Sequence, residues 1–107
     1  MSAQDILREH IRQHLHWGPL GGADRMRFMT LALCGEAGEL ANLVKKDWRG
    51  DKGIPDRRAK MIEELADVGN YAFMIAEILG IDLQKEMLAK LLAVEQRPEW
   101  KRAAVNP

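Results

Sequence analysis

Two pairs of acidic residues hold most of the chemical content of this sequence. Glu36 and Glu39 form one pair, Glu64 and Asp67 the other, and Glu63 adjoins the second. Each pair is spaced i, i+3, so on a helix both carboxylates project from one face. Surface acids on helices are commonly supported by a Lys or Arg three or four residues away. That support is largely missing here. Leu40 follows Glu36 at four residues, Asn42 and Leu43 follow Glu39, and Asn70 and Tyr71 follow Asp67, with only Lys60 placed to support Glu63 or Glu64. Glu36 with Glu39, Glu64 with Asp67 and Glu63 with Asp67 are like-charged pairs, each unfavourable to a helix by roughly 0.2–0.5 kcal/mol.

Acids that adjoin apolar stripes without basic partners need a compensating cation. A divalent metal is the simplest one. Mg²⁺ prefers oxygen ligands in octahedral geometry and shares its coordination with waters and substrate phosphates. If the two helices pack antiparallel, the acidic pairs face each other across the seam. The competing reading is a solvated acidic face. The missing basic partners and two glycines inside the first acidic helix, Gly35 and Gly38, favour the metal.

The elements that must position these acids are helical. Apolar points at Ile6, Ile11 and Leu15 predict a short helix over about 3–16, ended by Trp17-Gly-Pro-Leu-Gly-Gly. Met29, Leu33, Leu40, Leu43 and Val44 predict a second from Ala23 or Asp24 to about Lys46. Gly35 and Gly38 each cost about 1 kcal/mol there relative to Ala, which predicts a close approach to the helix backbone. Residues 47–54 read as a loop, and Pro55 suits the first turn of the next helix. That third helix spans about Asp56 to Leu79, with Ile62, Leu65, Val68, Ala72, Phe73, Ile75 and Ala76 as apolar points and Gly80 as its stop. Asp82 caps a fourth helix over about Leu83–Glu95, Arg97-Pro98 ends it, and the last ten residues read as a tail. No alternating apolar pattern or hairpin dipeptide predicts a strand. The expected fold is all-α: an antiparallel bundle of about four helices in a single domain, residues 1–107, with its core at about 23–97. A chain this short buries little surface alone, so completion by oligomerisation is expected.

Gly35-Glu36-Ala37-Gly38-Glu39-Leu40, followed after Glu39 by a 24-residue spacer and then Glu64-Leu65-Ala66-Asp67-Val68, resembles the MazG-like family of all-α nucleoside triphosphate pyrophosphohydrolases. That family's pattern is E-x-x-E, a spacer, then E-x-x-D. The resemblance covers about residues 25–97 and extends through Leu40–Arg49, with Lys45, Lys46 and Trp48. It implies a helical core that assembles as a homodimer or homotetramer. It also implies Mg²⁺-dependent cleavage of a nucleoside triphosphate, a dNTP by preference, between the α and β phosphates, in a role such as nucleotide-pool housecleaning. Glu36, Glu39, Glu64 and Asp67 are then the Mg²⁺ ligands, with Mn²⁺ as an accepted substitute. Glu36, Glu39 or Glu63 is the catalytic carboxylate that deprotonates the attacking water, Glu63 being alternatively an outer ligand. A metal ion polarises phosphate oxygens and acidifies water, and catalysis would rest on positioning and charge neutralisation.

Positive charge lies nearby. Residues 45–60 hold seven Lys or Arg against three Asp. Lys46 and Lys52 are the best phosphate-binding candidates, although a solvated loop accounts equally for any one of these cations. Trp48 or Trp17 would stack on a base if not used in packing, and Asn70, one turn beyond Asp67, would hydrogen-bond substrate or a neighbouring helix. Many relatives carry a Lys and, four residues later, an Asn near the end of the last helix. Here Lys90 is present and counts as a substrate-binding candidate, but Val94 occupies the Asn position. The departure bears on sugar or base recognition.

Other chemistries fit less well. His10 and His14 are spaced for a zinc pair, but no third ligand follows convincingly, and the Glu-x-x-His signature of di-iron bundles is absent. Cys34, the one cysteine, reads as a buried small hydrophobe in a reducing compartment. Sixteen basic and sixteen acidic residues balance, which argues against a nucleic-acid polymer or an anionic membrane as partner. The N-terminal residues lack the pattern of a secretory leader, and no apolar run reaches membrane-span length, so a cytoplasmic protein is expected. Two alternative functions stand beside the main reading: a phosphoribosyl-ATP pyrophosphohydrolase, and a non-catalytic helical module that binds nucleotides or a protein.

Overall fold

Asp5 begins the chain's first helix by a reciprocal cap. Its carboxylate accepts from the Ser2 backbone N–H at 3.0 Å, and the Ser2 hydroxyl accepts from the Asp5 N–H at 3.1 Å. The computed structural model describes residues 1–14, 22–52 and 56–99. They form four helices: α1 (Ala3–His14), α2 (Gly22–Arg49), α3 (Arg57–Leu79) and α4 (Leu83–Glu95). The all-α expectation holds, and no strand occurs among the described residues. Trp17 with its Gly/Pro break, Leu15, His16, Pro55 and the tail beyond residue 99 lie outside them.

Helix α2 runs three residues further than the sequence suggests, so Asp47, Trp48 and Arg49 are helical rather than loop. The reason is its C-terminus. Gly50 takes φ 74, the Gly50 N–H donates to the Asp47 carbonyl at 3.0 Å, and the Asp51 N–H donates to the Lys46 carbonyl at 3.0 Å. This is the paired closure that a left-handed glycine permits. Lys46 and Arg49 in the last turn oppose the helix dipole. Gly80 ends α3 in the same way at φ 69, with the Ile81 N–H donating to the Ala76 carbonyl at 3.1 Å. Asp56 starts α3, its carboxylate accepting from the Ala59 N–H at 3.2 Å, and Asp82 starts α4 by accepting from the Lys85 N–H at 3.2 Å.

Helices α2 and α3 form the central antiparallel pair. The Arg57 Nη1 donates to Asp47 at 3.0 Å near the hairpin tip. Roughly two to three helical turns deeper along each arm, the two acidic motifs come into register. Helix α1 packs on α3, and Ile11, Met29 and Ala76 are the buried apolar residues among those described. Among the described residues, helix α4 has no extensive packing against any of the others.

With only one neighbour along most of its length, each helix of the pair keeps an uncovered face. Ile62 and Leu65 on α3 and Val44 on α2 are therefore exposed although their spacing reads as core, and Ile6 on α1 is exposed as well. Cys34 is exposed too, contrary to its expected burial, although Ala32 and Leu33 before it are half-buried. Nothing lies within 4 Å of a Cβ placed at Gly35 or Gly38, so the expected close approach to the α2 backbone does not occur among the described residues. No described helix is long and apolar enough to cross a membrane.

Candidate metal centre

The α2–α3 pairing places the acidic motifs opposite each other. Glu36 from α2 and Glu64 and Asp67 from α3 each offer a carboxylate oxygen, all within 4.8 Å of one another. These three side chains are half-buried, and Glu39, one turn along α2, lies exposed beside Glu64. The helical period explains the grouping: i, i+3 spacing aligns each pair, and antiparallel packing brings the first acid of one motif near the second of the other.

The electrostatics follow from the crowding. The Glu39 carboxyl is held above the ordinary range, chiefly by the charge of Glu64, then by hydrogen bonding with Glu64, partial desolvation and the charge of Asp67. Glu64 is raised as well. Its contact with the Glu36 carboxyl favours the protonated form, and desolvation and the Glu36 charge add to this. One oxygen of Glu64, Oε2, is shielded from solvent and has no hydrogen-bond donor. A proton shared with the Glu36 carboxyl or, with every acid ionised, a bound cation would satisfy it. Among the described residues, no Lys, Arg or His forms an ion pair with Glu36, Glu39, Glu64 or Asp67. An all-carboxylate oxygen set with an unsatisfied inner oxygen suits a hard divalent cation.

The other candidate residues lie at varied distances from this cluster. Glu63, beside Glu64 in sequence, is exposed and not among the converging oxygens. Asn70 is exposed one turn beyond Asp67. Lys46 is half-buried in the last turn of α2, roughly 10 Å along the helix from Glu39 at about 1.5 Å per residue. Trp48 is 89% exposed, and Lys52 is exposed beyond the helix end. Lys90 is exposed on α4, which does not pack beside the acidic pair. Trp17 and the His14 side chain lie outside the described residues.

Two features near the hairpin tip carry no signal in the spacing. Asp47 and Arg57 pair across the connected ends of α2 and α3, and Asp51 is held below the usual carboxylate range, first by its hydrogen bond to Arg49 and also by the charges of Arg57 and Lys46. Arg57 Nε is itself buried without an acceptor among the described residues. The sequence shows only an abundance of Asp and Arg within 47–58, which does not say which acid meets which base.

Comparison with known proteins agrees with this geometry. The model of the MazG nucleotide pyrophosphohydrolase domain matches residues 26–97, which contain both acidic motifs and all of the α2–α3 hairpin's described core. dCTP pyrophosphatase 1 of Homo sapiens is 39% identical over 69 residues, covering 61% of this chain and 41% of that protein. dCTP pyrophosphatase 1 of Rattus norvegicus is 36% identical over 77 residues, covering 66% and 44%. The Gene 37 protein of Mycobacterium phage L5 is 31% identical over 84 residues, covering 77% of this chain and 74% of the relative. The chain thus spans less than half the length of the dCTP pyrophosphatases it matches. No solved structure matches it. Two acidic motifs in facing register on an all-α hairpin, within a family match over residues 26–97, lead to one assignment: the chain belongs to the MazG nucleotide pyrophosphohydrolase domain family.

Proposed function

We propose that this chain is a single-domain nucleoside triphosphate pyrophosphohydrolase that converts a deoxynucleoside triphosphate to its monophosphate and pyrophosphate. The observation that carries the reading is the cluster of Glu36, Glu64 and Asp67, with Glu39 beside it and no basic partner for any of the four among the described residues. The names of the dCTP pyrophosphatase relatives make dCTP the first substrate to test.

Glu36, Glu39, Glu64 and Asp67 would hold Mg²⁺, for which Mn²⁺ would substitute. When bound, the ion supplies charge neutralisation at the phosphates and a lowered pKa for water. The chain's own contribution is positioning. Glu39, exposed and raised, is suited to accept a proton from a water aimed at the α phosphorus, and Glu36 is the alternative base. Glu63 would be an outer ligand or a further candidate for the base. Lys46 and Lys52 would attract the phosphates towards the hairpin tip, and Trp48 and Asn70 are exposed to contact the nucleoside.

The chain would act in the cytoplasm as a homodimer or homotetramer. The described helices leave large apolar side chains uncovered, with Leu31 71% and Leu65 59% exposed on the α2–α3 pair and Leu88 57% and Leu91 51% exposed on α4. A second copy of the chain would cover such surface. Lys90 on the unpacked α4 would meet substrate only within such an assembly.

The test is pyrophosphate release from a panel of deoxy- and ribonucleoside triphosphates and phosphoribosyl-ATP, with and without Mg²⁺. Release from a deoxynucleotide that requires Mg²⁺ is expected. Release from phosphoribosyl-ATP alone, or from nothing, would replace the proposal with one of the other two readings.

A further inference from the structure

Gln4 is the one buried polar residue among the described residues, only 4% exposed. Its amide is directed at the corner between α3 and α4. The Nε2 donates to Glu77 Oε1 at 2.8 Å and to the Ile81 carbonyl at 2.7 Å. The Oε1 accepts from the Leu83 N–H at 2.9 Å. A single side chain from α1 therefore joins the last turn of α3, the connecting segment and the first residue of α4. One turn later, Arg8 grips the same carboxylate with two bonds, Nε to Glu77 Oε2 at 2.7 Å and Nη2 to Glu77 Oε1 at 2.9 Å.

The Leu83 N–H opens α4 and has no acceptor within that helix. Asp82 caps the Lys85 N–H instead, so Gln4 completes a cap that α4 cannot make alone. Gly80 and Asp82 terminate and start their helices, but neither sets the angle between them. Among the described residues, α4 has no extensive packing against α2 or α3 that would set it either. A cleft of about 500 Å³ flanks the corner between Ser2, Arg8, Gly80 and Gln84. The attachment of α1 is itself light: Ile11 is its buried apolar residue, while Ile6 is 57% exposed.

We infer that α1 is a releasable brace, in which Gln4, steadied by the Arg8–Glu77 clamp, fixes the α3–α4 elbow. When α1 is docked, α4 holds one direction and presents Met87, Leu88, Leu91 and Leu92 in a fixed pose. When α1 lifts, the elbow is released and α4 swings. Gln4 is thus a positioning residue for α4. Local opening of lightly packed elements of this kind is a normal part of native-state dynamics. The brace operates whether or not the chain hydrolyses nucleotides.

The test is a distance measurement by pulsed electron paramagnetic resonance in the full chain. Nitroxides are placed at the native Cys34 on α2 and at Glu95→Cys on α4, and the labelled chain is diluted into excess unlabelled Cys34→Ser protein so that only distances within one chain report. A narrow distribution is expected with Gln4 present and a several-fold broader one in Gln4→Leu. A second pair, Cys34 with Lys60→Cys, should be unchanged and so report an intact hairpin. An equally narrow α2–α4 distribution in Gln4→Leu would overturn the inference. If that variant loses the hairpin, hydrogen exchange of the unsubstituted protein decides instead. The Leu83 amide should then open together with the α1 amides, whereas a Leu83 amide that exchanges freely while α1 stays protected would overturn the brace.

Discussion

Glu36 on α2 and Glu64 on α3 face each other across the helix seam with carboxylate oxygens within 4.8 Å, and neither forms an ion pair among the described residues. Glu64 Oε2 is shielded from water without a donor. Without a cation, this arrangement weakens the fold, since like charges are held together and partly desolvated. The arrangement makes physical sense as a place where a divalent ion completes the structure.

Removing one carboxylate charge should separate stability from activity. Glu39→Gln and Glu64→Gln should each lower pyrophosphate release by about a hundredfold or more, the scale on which loss of one transition-state contact acts. Both variants should melt higher than the unsubstituted protein when metal is chelated. Scanning calorimetry in chelator, alongside the release assay, checks both halves. Undiminished turnover in Glu39→Gln would remove that residue from the site.

The pH dependence has a definite sign. Glu39 and Glu64 are raised by their acidic neighbours, so the folded chain without metal holds their protons more tightly than the unfolded chain. Stability from these two groups is complete below their unfolded pKa and is lost as pH rises through the folded values. Glu77 runs the other way. It is lowered first by the Arg8 hydrogen bond and also by Gln4, so its contribution is present above its unfolded pKa and lost as pH falls through the folded value. Urea titrations across the acidic range up to neutrality, with Glu64→Gln and Glu77→Gln as references, should show slopes of opposite sign between each variant and its parent. Parallel curves would contradict the assignment.

Breaking the buried amide at the elbow should be costly in proportion to the partners it strands. Gln4→Ala leaves the Leu83 N–H without its acceptor and the Ile81 carbonyl without this donor. A loss of about 1–3 kcal/mol is expected, read from the urea midpoint at constant slope. A loss near zero would mean that water replaces the amide at this corner.

Two glycines should behave oppositely. Gly80 holds φ 69, so Gly80→Ala should destabilise by about 1 kcal/mol. Gly35 lies in the interior of α2 with no neighbouring atom within 4 Å of where a Cβ would sit, so Gly35→Ala should stabilise the single chain by about 1 kcal/mol through helix propensity. Thermal denaturation of both at low protein concentration makes the comparison. A destabilised Gly35→Ala would mean that another surface approaches the α2 backbone.

How much of this is legible in the sequence depends on the range of the interaction. The Glu36/Glu39 and Glu64/Asp67 pairs can be placed on helical faces because i, i+3 spacing is local, and a single short connection then brings the two faces together. The Gly80 stop and the Asp82 cap are legible for the same reason. The end of α2 falls beyond its predicted place because Asp47 and Gly50 both read as turn residues, whereas only Gly50 leaves the helix and Asp47 is tied back by Arg57. Gln4 carries no signal at all. Its partners lie more than 70 residues away in sequence, and nothing in an N-terminal Ala-Gln-Asp marks the glutamine as buried. Cys34 and Leu65 read as inward-facing because periodicity identifies an apolar face without saying whether a neighbour covers it.

The central claim is that a divalent cation compensates the facing acids, and calorimetric titration with Mg²⁺, alone and with dCTP, tests it most directly. Saturable uptake by the unsubstituted chain that disappears in Glu64→Gln is the predicted result. Absence of uptake under both conditions, or the same uptake in Glu64→Gln, would contradict it.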